Sequence, residues 1–240
     1  MENCQAVSTP IECGTKLSKF EECEKVDPTY FKSLVGSLRY LTCTRPDILY
    51  SVGLISRYME APTITHMKAA KKILRYLKGT MDYGLLYHYS NEFKLVGYCD
   101  SDWVGDIDDR KSTTGYVFFI GDTSFSLSSK KQTIVTLSIC EAEYVAACSC
   151  VCQAIWPKRV LEELHMPQNV STEVLVDNKS VIALAKNLVF PERSKHIDIK
   201  YHFIRECIER REVELNYVKS QDQISDIFTK YLKSDAFNKF

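Results

Sequence analysis

The period of the apolar residues changes near residue 90, and that change limits what the chain can fold into. Upstream, YFKSLVGSLRYLTC and PDILYSVGLISRYM carry apolar residues at helical spacing, and Pro46 suits a first helical turn. A third helix is expected over residues 65–78, with Met67, Ala70, Leu74 and Leu77 as its apolar stripe and Gly79 as its C-cap. Downstream, FKLVGYCD (93–100) reads as a strand, with hairpin partners in GYVFFIG (115–121) and SFSLS (124–128). Residues 132–137 carry a weaker strand signal. The longest helical stretch runs from 138 to about 165, where Pro157 predicts a kink or break near Trp156. A strand (173–176), a helix (178–186), a helix (197–209), a strand (212–218) and a helix (222–230) complete the order.

Three early strands followed by helix-linked strands predict an α/β fold. Its mixed sheet would hold three antiparallel strands and then two parallel ones, preceded by a small helical segment. The expected divisions are an irregular segment (1–28), a helical segment (29–90), the α/β domain (91–232) and a tail (233–240). In such a sheet the ligand site is expected at the strand ends.

Composition narrows the functional classes. Hydrophobic residues make up 45% and charged residues 26%, as in ordinary globular domains. No apolar run reaches the ~18 residues of a membrane helix, and MENCQAVSTP lacks the pattern of a secretory signal. An intracellular chain, cytoplasmic or nuclear, not secreted and without a membrane partner, is therefore expected. The ten cysteines are then expected to stay reduced. Cys148, Cys150 and Cys152 alternate along a helix and point in different directions, which disfavours a shared zinc.

Charge is balanced at 31 basic and 31 acidic residues. Residues 1–90 hold 12 basic against 9 acidic ones, so the remainder is acidic by three. On the third helix Lys68, Lys71, Lys72, Arg75 and Lys78 fall opposite the apolar stripe. Cations so placed can follow a phosphate backbone, although a solvated helix face has the same pattern.

Four acids take distinctive positions: Asp100 ends the first strand, Glu143 lies in the first turns of the long helix, Asp177 ends the fourth strand, and Asp226 sits inside the last helix. Carboxylates gathered at one sheet edge would suit Mg²⁺ or Mn²⁺. With 31 acids in the chain, spacing alone does not single these four out. Other chemistries find less support. DSDWVGDIDD resembles a calcium loop, but Val104 takes a ligand position and no Glu closes it. Neither G-x-S-x-G nor a G-x-x-x-x-G-K-[ST] phosphate loop occurs.

The strings YCDSDWVGDIDDRKSTTGYVFFIG, SSKKQTIVTLSICEAEYVAA, VLVDNKSVIALAKN, SKHIDIKYHFIRE and YVKSQDQISDIFTK resemble the ribonuclease H of copia-type retrotransposon Pol polyproteins, especially plant ones. Upstream, VDPTYFKSLVGSLRYLTCTRPDILYSVGLISRYM and HMKAAKKILRYLKGT are similar to the C-terminal end of their reverse transcriptase. The resemblance covers nearly the whole chain, in order. It implies a ribonuclease H-like fold and two-metal-ion hydrolysis of the RNA strand of RNA–DNA hybrids. It carries the metal-binding, catalytic carboxylates to Asp100, Glu143, Asp177 and Asp226, with Asp102 as a near alternative to the first and Glu141 pointing elsewhere. Two Mg²⁺ ions, or Mn²⁺, are the implied cofactors. An RNA–DNA hybrid is the implied partner, along with the polymerase part of a full-length element. Ser138 and Asn178 are placed beside the sugar–phosphate backbone, and Lys195, His196 and His202 near the groove. Trp103 and Trp156 read as core or edge packing.

The polymerase's own catalytic Asp pair is absent, so no reverse transcriptase activity is expected of this chain. Leu127, Pro157 and Pro191 depart from the family pattern. A catalytically silent nucleic-acid-binding remnant is the alternative reading.

Overall fold

The computed structural model describes residues 4–87, 93–186 and 198–239. They pack as two units: Met1–Leu85 with Gly105–Arg110 and Lys230–Phe240, and Leu86–Val104 with Lys111–Thr229. No described helix is long and apolar enough to cross a membrane.

The first unit is helical. Helix α1 (Pro28–Leu41) begins where the Asp27 carboxylate accepts from the backbone N–H groups of Thr29 and Tyr30, with Pro28 in the first turn. The second predicted helix is shorter than expected: α2 covers Leu49–Ile55 and is flanked by 3₁₀ turns at Pro46–Ile48 and Ser56–Tyr58. Helix α3 (Ile64–Gly79) opens on a capping box between Thr63 and His66. Phe31, Val35 and Leu38 of α1, Val52 and Ile55 of α2, and Ala70, Ile73 and Tyr76 of α3 are buried.

Gly79 is not the C-cap. It ends α3, and Thr80 caps the helix, its hydroxyl donating to the Tyr76 carbonyl at 2.9 Å. A Cβ on Gly79 would lie 2.8 Å from the Cβ of Ala6, so close approach of the irregular N-terminal segment calls for glycine there. A four-residue helix, α7 (Ser234–Phe237), stands in the expected tail.

The second unit is built on a five-stranded sheet in the order β3-β2-β1-β4-β5. Strands β1 (Leu95–Ser101), β2 (Thr113–Ile120) and β3 (Thr123–Lys131) form an antiparallel meander. Strands β4 (Thr172–Val176) and β5 (Val213–Tyr217) add in parallel, β4 against β1 and β5 against β4. This is the expected mixed sheet, three antiparallel strands followed by two parallel ones. Residues 132–137 form no strand.

Helix α4 (Ile139–Glu163) runs unbroken through Pro157, so the expected break near Trp156 does not occur. Proline removes one N–H from the helical ladder and its ring crowds the carbonyl one turn earlier; Ala154, Pro157 and Leu161 are buried along that turn. The core between α4 and the sheet joins Cys99, Phe118, Tyr144, Val151, Val174 and Leu215, with Ile204 and Cys207 of α6 (Asp198–Glu209) and Val181 and Ala185 of α5 (Lys179–Lys186). Trp156 and Trp103 are not core residues: they are 61% and 48% exposed.

The predicted helix over 222–230 is also revised. That stretch holds two 3₁₀ turns, Ser220–Asp222 and Ile224–Phe228. The Gln223 side chain accepts from Ser225 N–H, tightening the chain at the point where an α-helix would have to begin.

Candidate active site

Parallel pairing of β1 with β4 sets their C-terminal ends side by side. Asp100, next to last in β1, is buried, and Asp177 follows directly on Val176, the last residue of β4. Asp226 arrives from the 3₁₀ turn Ile224–Phe228 and is buried as well. One carboxylate oxygen from each of the three lies within 4.8 Å of the others.

The turn that delivers Asp226 is held to the sheet by residues that local patterning did not single out. Buried Gln223 donates from Nε2 to the Cys99 carbonyl of β1 at 3.0 Å and toward the Leu175 carbonyl of β4 at 3.5 Å. Its Oε1 accepts from the Ser225 hydroxyl at 2.8 Å. Ser129 Oγ of β3 donates to the Phe228 carbonyl at 2.7 Å. The Thr229 hydroxyl donates to Asp100 Oδ2, joining the turn to the first acid.

Space for the turn comes from Gly115, the register partner of Asp100 on β2. A Cβ there would meet Thr229 Cγ2 at 2.6 Å, Phe228 Cβ at 2.8 Å and the Ser225 carbonyl oxygen at 3.1 Å. Most of these partners lie more than 90 positions apart in sequence, so only the fold reveals them. The available signal was that Gln223 and Thr229 flank Asp226 at three residues on either side.

Glu143 sits half-buried in the first turns of α4 and is not in the three-acid group. Its charge is nevertheless felt at Cys99, the neighbour of Asp100. A hydrogen bond with Cys150 and burial push the Cys99 thiol well up, and the carboxylates of Asp100 and Glu143 push in the same direction. Buried Gln132 fixes the start of α4: its amide donates to Ser101 Oγ and Thr114 Oγ1, both at 3.1 Å, and to the Ala142 carbonyl at 2.9 Å. Glu141 accepts from Leu137 N–H at 2.8 Å and closes the loop before the helix. Asp102 accepts from Thr113 N–H and so belongs to the β1–β2 connection.

Three carboxylates at this separation repel one another, by about 3 kcal/mol per pair at an effective dielectric near 20. A divalent cation among them reverses the sign. The donor set is all carboxylate oxygen, which fits a hard ion such as Mg²⁺ or Mn²⁺ and not a thiophilic one.

No protein-family model matches the chain. The Pol polyprotein of transposon RE1 from Arabidopsis thaliana is 40% identical over 240 residues, all of this chain and 16% of that protein. The Pol polyprotein of transposon TNT 1-94 from Nicotiana tabacum is 41% identical, covering 99% of this chain and 18% of that protein. The chain belongs to the retrotransposon Pol polyprotein family. It spans less than a fifth of the length of these curated relatives. Among solved structures, LC11-RNase H1, isolated from compost, is 16% identical with a TM-score of 0.45, covering 61% of this chain and 97% of that one.

In this Pol-family chain the described members of the expected nucleic-acid set lie on α3, at the start of α4 and at the entrance to α5. Ser138 is the N-cap of α4, accepting from Glu141 N–H at 3.2 Å. Asn178 accepts from Ser180 N–H at 2.8 Å at the entrance to α5. Lys195 and His196 lie outside the described residues, and His202 is exposed on α6. On α3, Lys68 and Lys71 are exposed, whereas neighbouring cations meet the N-terminal segment. Lys72 Nζ lies 3.4 Å from Glu12, Arg75 Nε donates to the Gln5 carbonyl at 2.8 Å, and Lys78 Nζ to the Cys4 carbonyl at 3.0 Å.

Proposed function

We propose that this chain is a ribonuclease H that hydrolyses the RNA strand of RNA–DNA hybrids and leaves a 3′-hydroxyl. The observation that carries this reading is the convergence of Asp100, Asp177 and Asp226 at the ends of β1 and β4. Descent from Pol polyproteins supports it.

Asp100, Asp177 and Asp226, with Glu143 from α4, would hold a pair of divalent cations, Mg²⁺ or Mn²⁺. The chemistry such a pair supplies when bound is activation of a water and stabilisation of the leaving oxygen of a phosphodiester. The chain's own part is to keep the acids in place. Thr229 fixes one oxygen of Asp100. Gln223 ties the Asp226 turn to both strands, and Gln132 anchors the helix that bears Glu143. A hybrid-specific groove must accept 2′-hydroxyls on one strand only, and exposed Ser138 and half-buried Asn178 stand on the two helices that begin nearest the acids in sequence.

The test is incubation of the chain with Mg²⁺ and a hybrid labelled on each strand in turn. Cuts confined to the RNA strand, and lost in Asp177→Asn, are expected. No cleavage by the wild type, or undiminished cleavage by Asp177→Asn, overturns the proposal; salt-sensitive binding without turnover would identify a silent binding remnant.

A further inference from the structure

Thr229 follows the turn that carries Asp226, and it is fully buried. Each of its groups has its own place. The backbone N–H donates to the Asp226 carbonyl at 3.2 Å, so that acceptor is served without the side chain. The hydroxyl lies 3.3 Å from the same carbonyl, but it has a single proton, and the stronger acceptor is the carboxylate oxygen Oδ2 of Asp100. The methyl group lies over Gly115, where an added Cβ would stand 2.6 Å from it. A β-branched side chain has few χ1 wells, so the methyl over Gly115 keeps the hydroxyl on Asp100.

A carboxylate held in this way does not offer an ion its two oxygens equally. The hydrogen bond draws charge from Oδ2 and fixes the plane of the group, so ligation falls to the other oxygen. That difference separates the hard cations. Mg²⁺ takes six ligands at about 2.0–2.1 Å and keeps several waters, whereas Ca²⁺ takes six to eight at about 2.3–2.6 Å and accepts carboxylates through both oxygens. Three acids that each give one oxygen meet the needs of the smaller ion and underfill the larger one.

We propose that Thr229 is a positioning residue that sets the ion preference of the three-acid site. By holding Oδ2 of Asp100 it confines that carboxylate to ligation through one oxygen, and so favours Mg²⁺ over Ca²⁺. The inference rests on the reading of Asp100, Asp177 and Asp226 as a cation site, and it adds what selects the cation. Thr229 acts through Asp100 and not as a ligand. Both branches of its side chain are needed: the hydroxyl bonds the acid, and the methyl stops the hydroxyl from turning away.

The experiment titrates the metal-free full chain with Mg²⁺ and, separately, with Ca²⁺, without nucleic acid. Affinity is read by calorimetry and by the rise of the thermal transition. The wild type should bind Mg²⁺ at least as tightly as Ca²⁺. Thr229→Val keeps the branched shape and removes the hydroxyl; it should weaken Mg²⁺ about tenfold and leave Ca²⁺ within about twofold. Thr229→Ser keeps the hydroxyl and should hold the Mg²⁺-to-Ca²⁺ ratio closer to that of the wild type than Thr229→Val does. A role in packing alone would move both ions together in both variants. Tighter binding of Ca²⁺ by the wild type overturns the proposal without any variant, as does an unchanged ratio in Thr229→Val or an equal loss in Thr229→Ser. The underlying reading fails in a different way: if neither ion binds the wild type, or if Asp226→Asn binds both as the wild type does, the cation site is overturned and the proposal with it.

Discussion

Strands β1 and β4 meet acidic side chains in two places, and the two are built on opposite plans. At the C-terminal ends, Asp100 and Asp177 converge with a third carboxylate, Asp226. At the start of the same strands, Glu173 is matched by its neighbours: Lys94 donates to one oxygen at 2.8 Å and Asn216 to the other at 3.0 Å. Glu173 alternates with buried Val174 and faces away from the α4 core, beside an open polar cavity of about 550 Å³ lined by Lys94, Arg211, Glu214 and Asn216. Opposite charges that answer each other in the fold need no ligand. Like charges brought together by long-range contacts cost stability unless a cation joins them, which is why the first cluster reads as a site and the second as structure.

The largest effect that would break this comparison is at Asp226. Asp226→Asn should lower hybrid cleavage on the order of a hundredfold to a thousandfold, as loss of one key electrostatic contact typically does. In metal-free buffer the same variant should melt higher than the wild type, since two of the three pairwise repulsions are gone. Added Mg²⁺ should raise the wild-type transition and leave the variant nearly unmoved. A variant that melts lower in metal-free buffer and still responds fully to Mg²⁺ would show that the three acids do not act as a cation site.

Gly115→Ala comes next. The added methyl meets the Ser225 carbonyl oxygen and Phe228 Cβ, neither of which is the flexible end of a side chain. A cost of about 2–3 kcal/mol in chemical denaturation is expected, with cleavage reduced because the Asp226 turn is displaced. Gly36, in the middle of α1 with nothing within 4 Å of an added Cβ, is the control. There Gly→Ala should stabilise by about 0.5–1 kcal/mol. Equal effects at the two glycines would remove Gly115 from the account of the site.

These contacts mark the limit of what the sequence discloses. The meander and the long helix are legible because β2 concentrates β-branched and aromatic residues and α4 carries a long apolar run, both local signals. Asp100, Asp177 and Asp226 stand out among 31 acids only through resemblance to Pol polyproteins. Gln223, Thr229 and Gly115 act on partners more than 90 positions away, and no local pattern encodes such a partner. The same reason explains α4: the rule that proline ends a helix is local, and the burial that carries the helix past Pro157 is not. On α3 the cations were legible but not their partners, because Cys4, Gln5 and Glu12 belong to a segment without periodicity.

The smallest effect belongs to the compensated end of the strands. The Lys94 hydrogen bond, with help from Asn216, holds Glu173 below the usual carboxylate range, and Glu173 in turn raises Lys94. Both groups are partly open to solvent, so Lys94→Met should cost only about 0.5 kcal/mol, less at high salt. The sign of the pH dependence follows from the shifts. A depressed carboxylate contributes stability above its unfolded pKa, near 4.3 for glutamate, and loses it as pH falls through the lower folded value. A raised lysine contributes below its unfolded pKa, near 10.4, and loses it as pH rises through the higher folded value. The difference between wild type and Lys94→Met should therefore be flat from about pH 5 to 9 and vanish at both extremes. Denaturation curves at pH 3, 7 and 11 measure it. A penalty that survives at pH 3 would mean that Lys94 acts through packing of its aliphatic stem, and the contrast between a compensated and an uncompensated acid would then need another basis at this end.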